Sequence, residues 1–183
     1  MALWIAATVA DEFLGSTEPT LVAGLAERFA TAGFDLTALV RATFEALSSE
    51  AAAPVVLAPV PWYVIARRVT GSVPDERRVL PLLRSAGQLP MLPPNVAGWP
   101  GGAAWFGASS LVARTNLAGV IAAATPVGEV LAAAEGDDMG LLADLLGLPS
   151  AGFAPESVAA LAQAAPGADR LAVALITPEF VIA

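Results

Sequence analysis

The chain has 183 residues, of which 56% are hydrophobic and 14% are charged, and its formal net charge is −8. All nine basic residues are arginines, and they form no cationic stripe for phosphate backbones, so nucleic acid is not an expected partner. The lack of cysteine, histidine and lysine removes disulfides, thiolate nucleophiles, the commonest metal ligand and Schiff-base chemistry. We therefore expect no cofactor and no metal.

Two helices are predicted at the start of the chain from apolar spacing and glycine stops. Apolar residues at helical spacing predict a helix from Ala2 to Leu14, which Gly15 ends. Ser16 or Thr17 is expected to cap a second helix, with Pro19 in its first turn. Because the connections are short, the first helices are expected to be antiparallel neighbours.

A third helix is predicted after Asp35, an aspartate that a helix cap explains. Arg41 and Glu45 lie four residues apart and are expected on its exposed side. Its apolar residues predict a buried stripe made of Leu36, Leu39, Val40, Phe44 and Leu47.

The remaining helices are predicted mainly from prolines and acidic residues. A helix is expected from about Pro61 to Val69, and another from Pro74-Asp75-Glu76, which Pro81 should kink or restart. Nothing alternates with period two for long, so no sheet is expected. Further helices are expected from a Ser109 or Ser110 cap to Ala124, and over Val127 to Ala134, Asp138 to Leu146, Pro155 to Ala164 and Asp169 to Ile176.

The sequence thus predicts an all-α, orthogonal multi-helix domain with a long Pro/Gly/Trp-rich loop packed on the helices. We expect residues 1–125 to form a helical core that includes the loop at residues 87–108. Residues 126–183 should form an extension that packs on the same core. No uninterrupted apolar stretch reaches the roughly 20 residues of a membrane-spanning helix, and no signal peptide is visible in the first ten residues.

The loop at residues 87–108 is the most restrained part of the sequence. Pro93, Pro94 and Pro100 fix the backbone and exclude regular helix, and the glycines at 98, 101 and 102 allow tight turns. Trp99 and Trp105 add two large apolar rings, each with an indole N–H that needs an acceptor when buried. The composition favours a structural plug pinned by the tryptophans; a ligand-facing loop with an aromatic platform is the alternative.

The same region carries a family resemblance. The sequence Pro93-Pro94-Asn95-Val96-Ala97-Gly98-Trp99-Pro100-Gly101-Gly102 follows Gly87-Gln88-Leu89-Pro90 and precedes Trp105 and the segment Leu111 to Ala118. This pattern resembles the signature of the bacterial domain-of-unknown-function family 1800.

The resemblance implies a helical fold but no established activity. It also implies that relatives are longer, with an N-terminal helical half, so that this chain corresponds to their C-terminal part. The partners it suggests are that N-terminal half, or a partner protein that covers apolar surface, and a sulfatase-like protein encoded nearby. Relatives often carry export signals, which leaves the compartment of this chain open.

The binding candidates lie in the loop and in the helix that follows it. Arg114 is expected to donate to carbonyls of the irregular loop, with anion binding as the alternative. The asparagines are either bracing amides or ligand contacts. Asp137 and Asp138 are adjacent acids that fit a helix start better than a metal site. The candidates are Asn95, Trp99, Trp105, Arg114 and Asn116, and no residue is assigned a catalytic role.

These observations predict a helical scaffold or protein-interaction module that is part of a larger protein. Two alternatives stay open. The tryptophans of the loop are able to stack against a glycan-type ligand. The chain also fits a fragment of a hydrolase whose catalytic residues lie in an N-terminal half.

Overall fold

The computed structural model describes residues 1–48 and 55–182, apart from the side chains of residues 48, 102 and 103. In these ranges the chain is helical, with two isolated β-bridges and no strand, so the all-α prediction is confirmed. The chain divides into two compact units, Met1–Val55 and Val56–Ala183. This boundary differs from the sequence-based division at residue 125, because the C-terminal helices share one core with residues 56–125.

The first unit consists of α1 (Ala2–Leu14), α2 (Pro19–Thr31) and α3 (Leu36–Ser48), each of which packs against the other two. Gly15 ends α1 in the left-handed conformation, at φ 59°. Helix α2 is capped by the carboxylate of Glu18, which accepts from the N–H of Leu21 at 2.9 Å. The cap is therefore Glu18, and the prediction of Ser16 or Thr17 was wrong. The core of this unit is small and rich in alanine, and contains Ala6, Ala10, Leu14, Val22, Leu25, Ala26, Phe29, Leu39 and Ala42.

Helix α3 is rotated relative to the prediction. Of its five predicted stripe residues only Leu39 is buried, beside Ala42 and Thr43, whereas Leu36, Val40, Phe44 and Leu47 are exposed. Its apolar residues occupy two adjacent faces, and the structure buries the face that carries smaller side chains. Small residues at a contact let helices pack closely, a preference that apolar spacing does not reveal. Glu45 bonds Arg28 of α2 at 2.6 Å.

The second unit is built around α6 (Ala108–Ala123). This helix packs against α4 (Pro59–Thr70), α5 (Glu76–Ser85), α10 (Ala168–Ala174) and the short 3-10 helix (Gly102–Phe106). Buried residues of α6 between positions 113 and 122 supply much of the core of this unit. Pro81 lies inside α5, which continues through it and does not restart there. No helix in the described part of the chain is long and apolar enough to cross a membrane. The elements are α4 (Pro59–Thr70), α5 (Glu76–Ser85), the 3-10 helix (Gly102–Phe106), α6 (Ala108–Ala123), α7 (Glu129–Glu135), α8 (Met139–Leu145), α9 (Pro155–Gln163), α10 (Ala168–Ala174) and α11 (Pro178–Val181).

Backbone pairing ties the two ends of this unit together. The N–H of Leu57 donates to the carbonyl of Val181 at 2.9 Å, beside a bridge between Val56 and Ile182. The fully buried Trp62 donates its indole N–H to the carbonyl of Leu175 at 2.9 Å. These contacts fix the segment that leads into α4.

Candidate functional site

The tip of the loop, residues 91–97, is exposed to solvent and contains a turn. The side-chain oxygen of Asn95 accepts from the N–H of Ala97 at 2.8 Å, and Gly98 donates to the carbonyl of Asn95 at 3.1 Å with φ 91°. Asn95 thus braces its own backbone, one of the two roles that its residue type predicted. Met91 and Val96 are also exposed. The tip is not packed on the helices.

The two ends of the loop, in contrast, are held against the second unit. The side chain of Gln88 accepts from the N–H of Val60 at 2.8 Å. Trp105 is only 4% exposed, and a Cβ at Gly87 would lie 3.6 Å from its ring. Trp99 is half-buried, and its indole nitrogen is enclosed without an acceptor. Trp105 therefore presents no open ring face for stacking.

Arg114 lies on α6 in the second unit and is 1% exposed. Its Nη2 donates to the carbonyl of Leu57, not to a carbonyl of the loop. Its guanidinium carbon lies 5.8 Å from the ring centroid of Trp62, within cation–π range. Its Nε and Nη1 are buried and have no hydrogen-bond partner. Burial lowers the pKa of Arg114 to about 10, because it disfavours the charged form.

The sequence candidates do not converge on one site. Asn116 is exposed and lies two residues after Arg114, about 200° around α6, so the two face opposite sides. Ser110 lies inside α6, on the face of Arg114 and one turn before it, whereas the prediction places a helix cap at Ser109 or Ser110; the N-cap residue is Gly107. The hydroxyl of Ser110 is buried without a partner. Of these residues, Ser110 and Arg114 share one face of α6, and both carry buried polar atoms without a hydrogen-bond partner.

Sequence reasoning missed two charged residues that the structure uses. Arg170 is buried and donates to the carbonyls of Leu161, Ala134 and Gly136. The sequence feature that could have indicated this role is Gly136, which ends a helix. The last turn of a helix leaves carbonyls that need hydrogen-bond donors.

Glu179 is the second missed residue. Its carboxylate accepts from the N–H of Ala154 at 2.9 Å and from the hydroxyl of Ser157 at 2.9 and 3.1 Å, at the start of α9. Burial raises the pKa of Glu179, but these hydrogen bonds outweigh it and leave the pKa below its ordinary value. Both missed residues act on helix ends.

No group of three or more potential metal-binding side chains occurs among the residues that the structure describes. Asp138 caps α8, as its reading as a helix-starting acid predicts, by accepting from the N–H of Leu141 at 3.0 Å. Glu129, Asp137 and Asp138 line an open cleft of about 500 Å³ on α7 and α8.

Searches of curated proteins and of solved structures gave no match. A family model described as "Protein of unknown function (DUF1800)" matches residues 1–182, which is essentially the whole chain. The family model thus covers the central loop and all of the helices described above, and the chain belongs to this family.

Proposed function

We propose that this chain is a helical protein-interaction module and that α3 carries its contact surface. The observation that supports the proposal is the α3 outer face, which consists of Leu36, Val40, Phe44 and Leu47. Among these residues, Leu36 is 62% exposed, Val40 is 44% exposed and Leu47 is 45% exposed.

The spacing of these residues makes the α3 outer face a continuous stripe. Leu36, Val40, Phe44 and Leu47 follow one another at intervals of four, four and three residues, which places them on one side of the helix. Single exposed apolar residues are ordinary on protein surfaces, whereas contiguous apolar patches mark interaction sites. An apolar stripe on a helix is complementary to another amphipathic helix.

The occupant that we propose is the N-terminal helical half that the resemblance assigns to longer relatives. The resemblance makes this half a natural partner, and packing helix against helix matches the chemistry of the stripe. The high hydrophobic content of the chain, 56%, agrees with a surface that is covered in a larger assembly.

The test is to titrate the N-terminal half of a longer family member, made as a separate polypeptide, into this chain by calorimetry. The variant Leu36→Gln/Val40→Gln should weaken binding by about tenfold or more, because two apolar side chains lose their buried contacts. The matched control is Leu80→Gln/Val112→Gln, at positions on α5 and α6 that are 47% and 62% exposed. This control should change affinity by less than about twofold.

Three outcomes would contradict the proposal. They are absence of binding by the wild-type chain, equal weakening by the two double variants, and a self-associated wild-type chain that only the α3 variant dissociates. The last would assign the surface to a second copy of the chain. Circular dichroism of both variants checks that their helices are retained.

The alternative functions stay predictions. Glycan stacking by Trp99 and Trp105 is the weaker alternative, because Trp105 is enclosed and Trp99 is half-buried. The hydrolase alternative places its catalytic residues outside this chain. The sulfatase-like partner depends on family analogy alone.

A further inference from the structure

The guanidinium of Arg114 carries more hydrogen-bond donors than it has acceptors among the described residues. Of the five N–H bonds of an arginine side chain, one belongs to Nε and two to each terminal nitrogen. Nε and Nη1, which together carry three of them, are buried without an acceptor, and Nη2 bonds only the carbonyl of Leu57. Native proteins satisfy almost all buried donors, so unused donors on a charged group point to a missing acceptor.

The electrostatic surroundings point to an anion. Leu57 and Trp62, which contact the guanidinium, flank the start of α4, and a helix start carries positive partial charge. Throughout residues 1–48 and 55–182, no carboxylate pairs with Arg114 within 4.0 Å. A buried charge in such a place is stable only with a counter-charge or with several hydrogen bonds.

Ser110 adds a further donor on the same side of α6. It precedes Arg114 by four residues, so its hydroxyl and the guanidinium stem project from neighbouring positions on one helix face. Its hydroxyl is buried and has no partner. One face of α6 therefore carries a charged group and a neutral hydroxyl that both lack an acceptor.

We propose that Arg114 and Ser110 form a binding site for a small monocarboxylate. One negative charge balances one guanidinium, whereas a phosphate dianion would leave excess charge in a buried place. A carboxylate has two oxygens that accept in the plane of the guanidinium. The enclosure of Arg114, at 1% exposure, selects a ligand of a few atoms over a peptide side chain. The site lies in the second unit and is independent of the α3 outer face.

The test uses the full chain and formate as the probe, with chloride at the same ionic strength as the reference. Formate at saturation should raise the Tm by about 5 °C relative to chloride, because it binds the folded state alone. Ser110→Ala should keep the fold and reduce the affinity for formate by about fivefold or more, a typical effect of one lost hydrogen bond to a charged group. Arg114→Met should abolish the shift.

Four results would overturn the site: an equal Tm in formate and chloride, a formate shift retained in Arg114→Met, formate affinity unchanged in Ser110→Ala, and a larger shift with phosphate than with formate. Should Arg114→Met fail to fold, Ser110→Ala and calorimetry of the wild-type chain with formate decide the question. A negative result with formate has no bearing on the α3 outer face, because the proposal for that surface is tested with a different partner and different variants.

Discussion

Arg114 and Arg170 are both buried in the second unit, yet their guanidinium groups have opposite hydrogen-bond environments. Arg170 uses Nε and Nη1 to bond the carbonyls of Leu161, Ala134 and Gly136. Arg114 bonds one carbonyl and leaves Nε and Nη1 without an acceptor. The burial of a charged residue therefore does not reveal its role, whereas an inventory of its donors does.

The difference follows from the helix ends that the two residues meet. Arg170 lies where α7 and α9 end, and helix C-termini leave free carbonyls and negative partial charge. Arg114 lies where the chain enters α4, at a helix start that carries positive partial charge and supplies it with one carbonyl, that of Leu57. We interpret Arg170 as a structural clamp and Arg114 as a ligand-binding group.

The largest expected effect is that of Arg170→Met, which keeps the apolar stem and removes the donors. The free energy of unfolding should fall by about 3 kcal/mol, because hydrogen bonds from a charged group to buried carbonyls are lost. Urea denaturation followed by circular dichroism measures it. A loss below about 1 kcal/mol would contradict the clamp.

Glu179 extends the comparison to a carboxylate at a helix start, where its charge is favourable. Because its folded-state pKa is lowered, its stabilisation is present above its ordinary value of 4.5 and is lost as the pH falls through the folded-state pKa. Glu179→Gln should cost about 2 kcal/mol at neutral pH and flatten this acid dependence. Urea midpoints of both proteins between neutral and acidic pH check it, and parallel pH profiles would contradict the assignment.

A smaller effect is expected for Arg114→Met in a buffer without carboxylates. The lost bond to the carbonyl of Leu57 is offset by removal of a buried charge with unused donors, so stability should change by no more than about 1 kcal/mol. The same denaturation experiment serves here. If this variant lost as much stability as Arg170→Met, Arg114 would be a clamp as well.

Ser110→Ala should give the smallest change, within about 0.5 kcal/mol, in the absence of a carboxylate. Its buried hydroxyl has no partner, so its removal sacrifices no hydrogen bond within the protein. Thermal unfolding in chloride measures the change. A loss of several degrees would show that Ser110 has a structural partner.

Helix positions were largely accessible from the sequence because they depend on local features. Gly15 ends α1, Asp138 caps α8 and Pro155 begins α9, each at or next to the predicted position. Helix faces were less accessible, as α3 shows: both of its adjacent apolar faces fit a helical period, and packing against alanine-rich α1 and α2 decided between them.

The site was predicted only in part. The residue type and the position after the loop singled out Arg114, but its acceptor proved to be Leu57, which lies 57 residues earlier in the chain. Such a contact depends on tertiary structure, which no local pattern encodes. Ser110 was read as a cap because hydroxyl residues commonly precede helices, and only the start of α6 at Ala108 placed it inside the helix.

The most direct test of the central comparison is a formate titration followed by ¹H–¹⁵N spectra of the arginine Nε–H groups. Arg170 provides an internal control, because its Nε already donates to the carbonyl of Leu161 at 3.1 Å. The resonance of Arg114 Nε–H should shift in a saturable manner while that of Arg170 stays in place. An Arg114 resonance that is insensitive to formate, or equal shifts of the two resonances, would contradict the assignment of Arg114 as the ligand-binding guanidinium.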